Sequence, residues 1–127
     1  MHGGKIVGGS ATSKGGNIML LPQNSSTAKF IMNDGVIEGG SAANGGSICL
    51  NALSSSTALF EMNGGTIKGG TATTNGGTFY TNSSMDTLTV NGGTIETGTA
   101  VAGACIYKKG GNITVAPGAT VGEIVAP

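Results

Sequence analysis

The groups that could perform acid–base chemistry in this 127-residue chain are six carboxylates and a single histidine. Hydrolysis of a polysaccharide needs two carboxylates close together, one of them acting as the acid. Glu38 and Glu96 recur at the same place in a sequence repeat, but they lie two repeats apart and Lys68 lies between them. This order of charges predicts a ladder of ion pairs between neighbouring repeats. An enzyme acting on a polysaccharide is kept as an alternative.

Metal and thiol chemistry have few candidate residues. His2, the only histidine, lies at the start of the chain and has no sequence partners for a zinc or acid–base site. Cys105 takes the inward place of Ile48 in its repeat, whereas Cys49 comes one residue later and should point outward. We therefore expect two free thiols and no disulfide. Calcium-binding repeats of the Gly-Gly-x-Gly-x-Asp type do not occur, and the sequence predicts no metal or other cofactor.

The composition limits the class of protein. The chain has the length of one domain, contains 25 Gly, and has zero net charge without any Arg. A surface for nucleic acid or for anionic membranes therefore has no electrostatic basis. No apolar run approaches the ~20 residues that cross a bilayer, so we expect no membrane insertion. The N-terminus also lacks the pattern of a secretion signal.

The chain is organised by one strand–turn–strand stretch that occurs four times. Phe60–Ile67 contains it as Phe-Glu-Met-Asn-Gly-Gly-Thr-Ile, and copies lie at 30–37, 88–95 and, in degenerate form, 113–121. Alternating apolar residues predict strands, and Asn-Gly-Gly predicts a sharp corner because these residues accept a positive φ. Independent Asn-Gly hairpins are the alternative. The predicted corner residues are Asn33, Gly35, Asn63, Gly64, Gly65, Asn91, Gly92 and Gly93, and Asp34 is a further turn residue that tolerates left-handed backbone.

A second unit recurs between the corners. Its copies are Gly15–Ile18, Gly45–Ile48, Gly76–Phe79 and, in degenerate form, Ala102–Cys105. The two units give each repeat three short strands, and successive repeats from Ile6 to Val121 measure 31, 30, 28 and 26 residues. This period indicates a solenoid, and three strands per repeat predict an all-β, right-handed parallel β-helix. We expect a single domain, 1–127, with coils at about 6–36, 37–66, 67–94 and 95–121 and a tail at 122–127.

Stacked columns of equivalent residues follow from this register. Asparagines at 33, 63 and 91 form one column, with His2 in the matching place, and such side chains can hydrogen-bond along the stack. Alanines at 11, 42, 72 and 100 form another. If Ile18, Ile48 and Phe79 point inward, the outward neighbours form an apolar column of Met19, Cys49, Tyr80 and Ile106. We expect another chain or a flanking segment to cover this column; the alternative is a shifted register that makes these residues core.

Short motifs of the chain resemble a known family. Phe30–Asn33 and Phe60–Asn63 match the FxxN motif, and Gly45–Ile48, Gly64–Ile67 and Gly92–Ile95 are similar to the GGA(I/L/V) motif, of polymorphic outer-membrane-protein repeats. The resemblance extends from Gly3 to about Val121. It implies a bacterial secreted or surface-anchored passenger domain with an adhesive role, exported as part of a larger or processed protein. It also implies a host or cell-surface glycan or protein as the partner.

The sequence thus predicts a structural or adhesive role without catalysis, and two further alternatives stay open. The first is a subunit that stacks end to end into a fibre, because the terminal coils of a solenoid expose strand edges. Ile6 and Ile18 lie on the N-terminal edge, where flanking coils or copies of the chain would pair. The second is ice binding by outward threonine columns, which Lys5, Val36 and Ala104 interrupt.

Overall fold

The structure, a computed structural model that describes all residues from 1 to 127, contains sixteen strands and no helix. There is accordingly no helix that could cross a membrane. The strands are β1 Lys5–Val7, β2 Ile18–Leu20, β3 Thr27–Met32, β4 Val36–Glu38, β5 Ser41–Asn44, β6 Ile48–Leu50, β7 Thr57–Met62, β8 Thr66–Ile67, β9 Thr71–Asn75, β10 Phe79–Thr81, β11 Asp86–Val90, β12 Thr94–Ile95, β13 Ile106–Lys108, β14 Asn112–Val115, β15 Thr120–Val121 and β16 Ile124–Val125.

Fourteen of these strands form three parallel sheets that are stacked as a β-solenoid of about four turns. The first sheet has the order β1-β4-β8-β12-β15, the second β2-β6-β10-β13-β16 and the third β3-β7-β11-β14. Each coil contributes one strand to each sheet, so strands that are adjacent in a sheet come from successive coils. The predicted all-β parallel solenoid of about four coils is confirmed.

Columns of apolar side chains fill the inside of the solenoid. The strand register aligns two of these columns: Ile6, Ile37, Ile67, Ile95 and Val121 in the first sheet, and Phe30, Phe60, Leu88 and Ile113 in the third. The rings of Phe30 and Phe60 stack with centroids 5.0 Å apart, and Phe79 of the second sheet meets Phe60 edge-on at 5.3 Å. The contact between Phe60 and Phe79 therefore joins the second and third sheets. Burial of each such side chain stabilises the fold by about 1.5–3 kcal/mol.

Each coil also makes a short excursion between the first and second sheets, which we call the ridge. It consists of residues 9–16, 40–46, 70–77 and 98–104. Strands β5 and β9 pair in parallel there, with Ala42 aligned to Ala72 as predicted. Single bridges extend the pairing to Ser10 and Thr99 in the outer coils. This fourth element was not predicted, because its Ser, Thr and Ala residues lack the alternation of large apolar side chains that marks a strand.

Glycines are required at the base of the ridge because neighbouring coils touch there. A Cβ on Gly46 would lie 2.5 Å from Thr71 N, and one on Gly77 would lie 2.6 Å from Thr99 N. The equivalent residue of the next coil is Ala104. An alanine fits at this place because the final turn passes from Val121 directly into β16 and forms no ridge. The second glycine of the pair is therefore replaced in the coil on which no further ridge packs.

The register of the second sheet differs from the prediction in the last coils. Phe79 pairs with Ile106, so Ile106 and not Cys105 continues the inward column. The degenerate unit is Gly103–Ile106, one residue later than the predicted Ala102–Cys105, and its glycine has a φ of 61° like the first glycine of the other units. In the predicted tail, β16 pairs with β13 and extends the same sheet.

Candidate functional site

The predicted corners carry a line of hydrogen-bonded side chains, which we call the asparagine ladder: His2, Asn33, Asn63 and Asn91. Asn91 Nδ2 donates to Asn63 Oδ1 at 2.8 Å, and Asn63 Nδ2 donates to Asn33 Oδ1 at 2.9 Å. The ladder ends at His2, whose Nδ1 lies 3.0 Å from Asn33 Nδ2. Asn63 Nδ2 also donates to Glu61 Oε2 at 2.9 Å. The predicted column is confirmed, and its amides connect one coil to the next.

Glycines at two places of the corner are required for different physical reasons. The glycine at the second place has a positive φ: 103° at Gly35, 87° at Gly65 and 86° at Gly93. The glycine at the first place does not, so the prediction of a positive φ at Gly64 and Gly92 is wrong. A Cβ on Gly64 would instead lie 2.6 Å from Asn33 O in the preceding coil, and one on Gly92 would lie 2.7 Å from Asn63 O. Close approach of the coils, and not backbone handedness, requires glycine at these two positions.

The predicted outward column on the second sheet is mostly buried. Met19 is 37% exposed, but Cys49 is 0% and Tyr80 is 4% exposed. The glycine turns at the base of the ridge lie against this column, since a Cβ on Gly45 or Gly76 would come within 3.0 Å of Tyr80 Cβ. The column is therefore covered, but the prediction that another chain or a flanking segment covers it is wrong. Its cover is the ridge of the same chain.

The fourth predicted member of that column, Ile106, points into the core and is 0% exposed. Tyr107 takes its place and stacks on Tyr80 with ring centroids 5.7 Å apart. The alternative of a shifted register, with one column buried and the other exposed, is also wrong for the central coils, because Ile48 and Cys49 are both fully buried. The second sheet therefore has core on both faces.

Both cysteines are unpaired and buried. The expectation that Cys49 is exposed is wrong for the reason just given. Burial, reinforced by the negative charge of Asp86, raises the pKa of the Cys49 thiol to about 12. Burial also raises the pKa of the Cys105 thiol. Because the thiolate is the reactive form, neither side chain is a ready nucleophile at neutral pH.

The carboxylates do not form the predicted ladder of ion pairs. The salt bridge of the chain joins Lys5 Nζ to Glu38 Oε2 at 3.0 Å. Lys5 is aligned with Val36, two residues from Glu38 on the same outward face, and this diagonal pairing replaces the predicted contact with Lys68. The hydrogen bond and charge of Lys5 lower the pKa of Glu38. Asp34 is a turn residue as predicted, but without a left-handed backbone; its Oδ1 accepts a hydrogen bond from Gly35 N at 2.8 Å.

Asp86 is a buried structural carboxylate whose role the repeat spacing did not reveal. It is 0% exposed. Its Oδ1 accepts from Ala52 N at 2.9 Å, and its Oδ2 accepts from Asn82 N at 2.9 Å and Ser83 N at 2.8 Å. The carboxylate therefore ties its own turn to the preceding coil. The signal was present in the sequence, because alignment of Leu88 with Phe60 puts Asp86 at the inward place of an alanine, Ala58.

A second column of polar side chains, also not predicted as a site, lies where the ridge returns to the second sheet. Asn17 Nδ2 donates to Ser47 Oγ at 3.1 Å and to the carbonyl of Glu38 at 3.1 Å. In the third coil Thr78 Oγ1 donates to Glu96 O at 2.7 Å. Ser47 and Thr78 are fully buried. The Thr78 hydroxyl satisfies a backbone carbonyl of the next coil, and the Ser47 hydroxyl satisfies the amide of Asn17. The sequence signal for this column is the polar residue that follows each Gly-Gly pair of the second unit.

The predicted N-terminal edge is present. Each of β1, β2 and β3 is the last strand on one side of its sheet and has a single neighbour. Ile6 and Ile18 lie on this edge and are half-buried against the core. Met1 lies beside the end of β3, since Asn33 N, the residue after this strand, donates to Met1 O at 2.8 Å. The surface contains no enclosed pocket and no group of three or more potential metal-ligating side chains.

Comparison with known proteins gave no relative for this chain. No family model matches it, and no match was found among curated proteins or solved structures. The fold and the contacts above define its class: a parallel β-solenoid whose repeated polar side chains join successive coils.

Proposed function

We propose that this chain is a non-catalytic β-solenoid module with a structural and adhesive role in a bacterial secreted or cell-surface protein. The observation that carries the proposal is the asparagine ladder, in which the polar residue of each corner bonds to the same residue of the next coil. Side chains used in this way join each coil to its neighbours in the stack. The resemblance of the corner motifs to repeats of surface proteins supports the same class.

The partner we propose is a host or cell-surface glycan or protein. A solenoid presents equivalent outward side chains at intervals of about 4.8 Å. Thr66, Thr94 and Thr120 are aligned in this way on the first sheet. Each hydroxyl can donate and accept a hydrogen bond, so the aligned threonines offer a regular polar strip to a partner.

The adhesive role is tested with the folded chain coupled to beads and incubated with cell-surface glycans, host cells and soluble polysaccharides. We expect retention of glycans or cells and no release of sugar fragments. A Thr66→Glu, Thr94→Glu double variant should lose retention, whereas Thr73→Glu with Thr74→Glu on the ridge is the matched control and should keep it. Absence of any retention would contradict adhesion, and release of sugar fragments would favour the enzyme alternative.

A second candidate function is assembly of the chain into a fibre, and the three edge strands favour it. Stacking of two copies head to tail would place β1 of one copy beside β15 of the other and β2 beside β16. The Ile6 column would then continue from Val121, and the Ile18 column from Ile124. Backbone groups on such edges are a template for further pairing.

Assembly is tested by size-exclusion chromatography with light scattering, followed by electron microscopy of any large species. Ile6→Lys or Ile18→Lys should abolish association and leave the circular dichroism spectrum unchanged. Val101→Lys is the control, because Val101 is 84% exposed but lies on the ridge. A parent chain that stays monomeric at high concentration, with β1 and β2 protected from hydrogen exchange, would exclude the fibre.

A further inference from the structure

Four Asn-Gly dipeptides occur in the chain, at 44–45, 63–64, 75–76 and 91–92. An asparagine before glycine can lose its side-chain amide without an enzyme. The glycine backbone nitrogen attacks Cγ of the asparagine, a new C–N bond forms, the Cγ–Nδ2 bond breaks, and ammonia leaves with the glycine proton. Water then opens the cyclic imide to aspartate or isoaspartate. The reaction therefore needs a free glycine N–H and an amide that can turn toward it.

The two dipeptides in the ridge have a blocked nucleophile. Gly45 N donates to Asn75 O at 2.9 Å, and Gly76 N donates to Ala102 O at 3.0 Å. Each of these is a short hydrogen bond between neighbouring coils. Attack by either nitrogen would first require the coils to separate, so Asn44 and Asn75 are protected by the ridge.

The dipeptide in the middle of the asparagine ladder has a blocked amide. Asn63 donates to Asn33 at 2.9 Å and to Glu61 at 2.9 Å, and it accepts from Asn91 at 2.8 Å. Rotation of this side chain toward Gly64 N would break all three hydrogen bonds. Asn63 is exposed to solvent and yet held in place.

Asn91 has neither form of protection. Its amide makes a single hydrogen bond, to Asn63, because the equivalent residue of the next coil is Ala116, whose N donates to Val90 O at 2.8 Å. Gly92 N lies 3.4 Å from Met62 O, at the long limit of a hydrogen bond. We propose that Asn91–Gly92 is a site of spontaneous deamidation in the folded protein, and that the ladder and the ridge protect the other three dipeptides.

Conversion at this site would weaken the third corner, where the asparagine ladder ends. A carboxylate at position 91 has no proton to donate to Asn63 Oδ1, so the ladder would lose its final hydrogen bond. Isoaspartate would also add one atom to the backbone between β11 and β12, where the coils are in close contact. Deamidated molecules would accumulate with time, and in them the contact between this corner and the C-terminal coil would be altered.

The proposal is tested by incubating the folded chain at mildly alkaline pH and mapping the four dipeptides by mass spectrometry. Asn63 has two more hydrogen bonds to break than Asn91, so we expect Asn91 to convert roughly tenfold faster. Asn44 and Asn75 should also lag behind. In urea the four sites should convert at comparable rates, because each is followed by glycine. Conversion of any other site as fast as Asn91 in the folded chain would overturn the proposal.

The ladder offers a second test through Ala116→Asn. The new side chain would donate to Asn91 Oδ1 and extend the ladder by one step, and it could not itself react because Pro117 has no N–H. The variant supplies one of the two hydrogen bonds that Asn91 lacks relative to Asn63, so we expect deamidation at Asn91 to slow about threefold, part of the way to the rate of Asn63. Ala116→Val, which has no donor, is the matched control and should leave the rate unchanged. An unchanged rate in the asparagine variant would refute protection by the ladder.

Discussion

Asp86 shows how a charged residue is accommodated inside a chain with few charges. Three backbone N–H groups, from Ala52, Asn82 and Ser83, surround its carboxylate. Hydrogen bonds to a charged acceptor are among the stronger ones in proteins. The N–H groups of Ala52 and Ser83 in turn depend on the carboxylate as their acceptor, whereas Asn82 N also donates to Leu50 O at 3.1 Å.

Replacement of this carboxylate should be one of the most destabilising single changes in the chain. Asp86→Ala leaves Ala52 N and Ser83 N without an acceptor, whereas Asn82 N keeps its hydrogen bond to Leu50 O at 3.1 Å. We expect the free energy of unfolding to fall by about 2–4 kcal/mol. Urea denaturation followed by circular dichroism measures it. Asp34→Ala is the control: Asp34 is exposed and accepts one local hydrogen bond, so its loss should cost less than about 1 kcal/mol. Equal effects of the two changes would show that Asp86 is not a structural clamp.

The two thiols should be inert in the folded protein. With a pKa of about 12, Cys49 at pH 8 is thiolate in roughly one molecule in ten thousand, and both side chains are buried. We expect an alkylating reagent to modify neither cysteine under native conditions and both in urea, as read by mass spectrometry. Rapid modification of Cys49 alone would show that the ridge does not cover the outward column of the second sheet.

At the scale of the strand and turn, the corner is the element whose sequence and geometry agree best. Gly65 has a φ of 87°, and a Cβ there would lie 2.6 Å from Gly35 O of the preceding coil. Gly65→Val should therefore lower the free energy of unfolding by about 2–4 kcal/mol, through backbone strain and steric overlap. Thr66→Val, on the neighbouring outward position, should change it by less than about 0.5 kcal/mol. Thermal melts compare the two variants, and equal melting temperatures would contradict this account of the corner.

The corners could be predicted from the sequence because three independent signals coincide there. Strand alternation, an Asn-Gly-Gly turn and a fixed spacing recur together, and the register of the first and third sheets followed from them. The second unit carries fewer signals. In the last coil Ala104 takes the place of the second glycine of the unit, since no ridge packs on it. The predicted register was therefore wrong by one residue there and placed Cys105 where Ile106 lies.

Burial of the second-sheet column could not be predicted for a different reason. Outward-pointing residues of a strand are exposed unless another segment covers them, and strand alternation carries no information about that cover. Here the cover is the turn at Gly45 and Gly76, whose approach to Tyr80 is a property of the folded coil. The salt bridge of Glu38 also could not be predicted from the register, which aligns Glu38 with Lys68, whereas the bridge forms diagonally with Lys5.

For the molecule as a whole, the coil is the unit of both sequence and stability. The core columns, the asparagine ladder and the ridge all connect a coil to its immediate neighbours. In such an array the stability is close to a sum of terms for each coil and each interface between coils. Removal of one whole coil should therefore leave a shorter protein that still folds, provided that the register is kept.

Deletion of residues 67–94 tests this at the largest scale. It joins Thr66 to Ile95, the same dipeptide as the native Thr94–Ile95, and the spacing to the next strand is kept because Ile48 and Ile106 each lie eleven residues after the isoleucine of the first sheet. We expect cooperative unfolding in urea with a slope lower by roughly a fifth to a quarter. Deletion of 67–95 differs by one residue and places Glu96 in the inward column, so it should lose the cooperative transition. If both shortened chains unfold alike, the coil is not the unit on which the stability of this molecule is built.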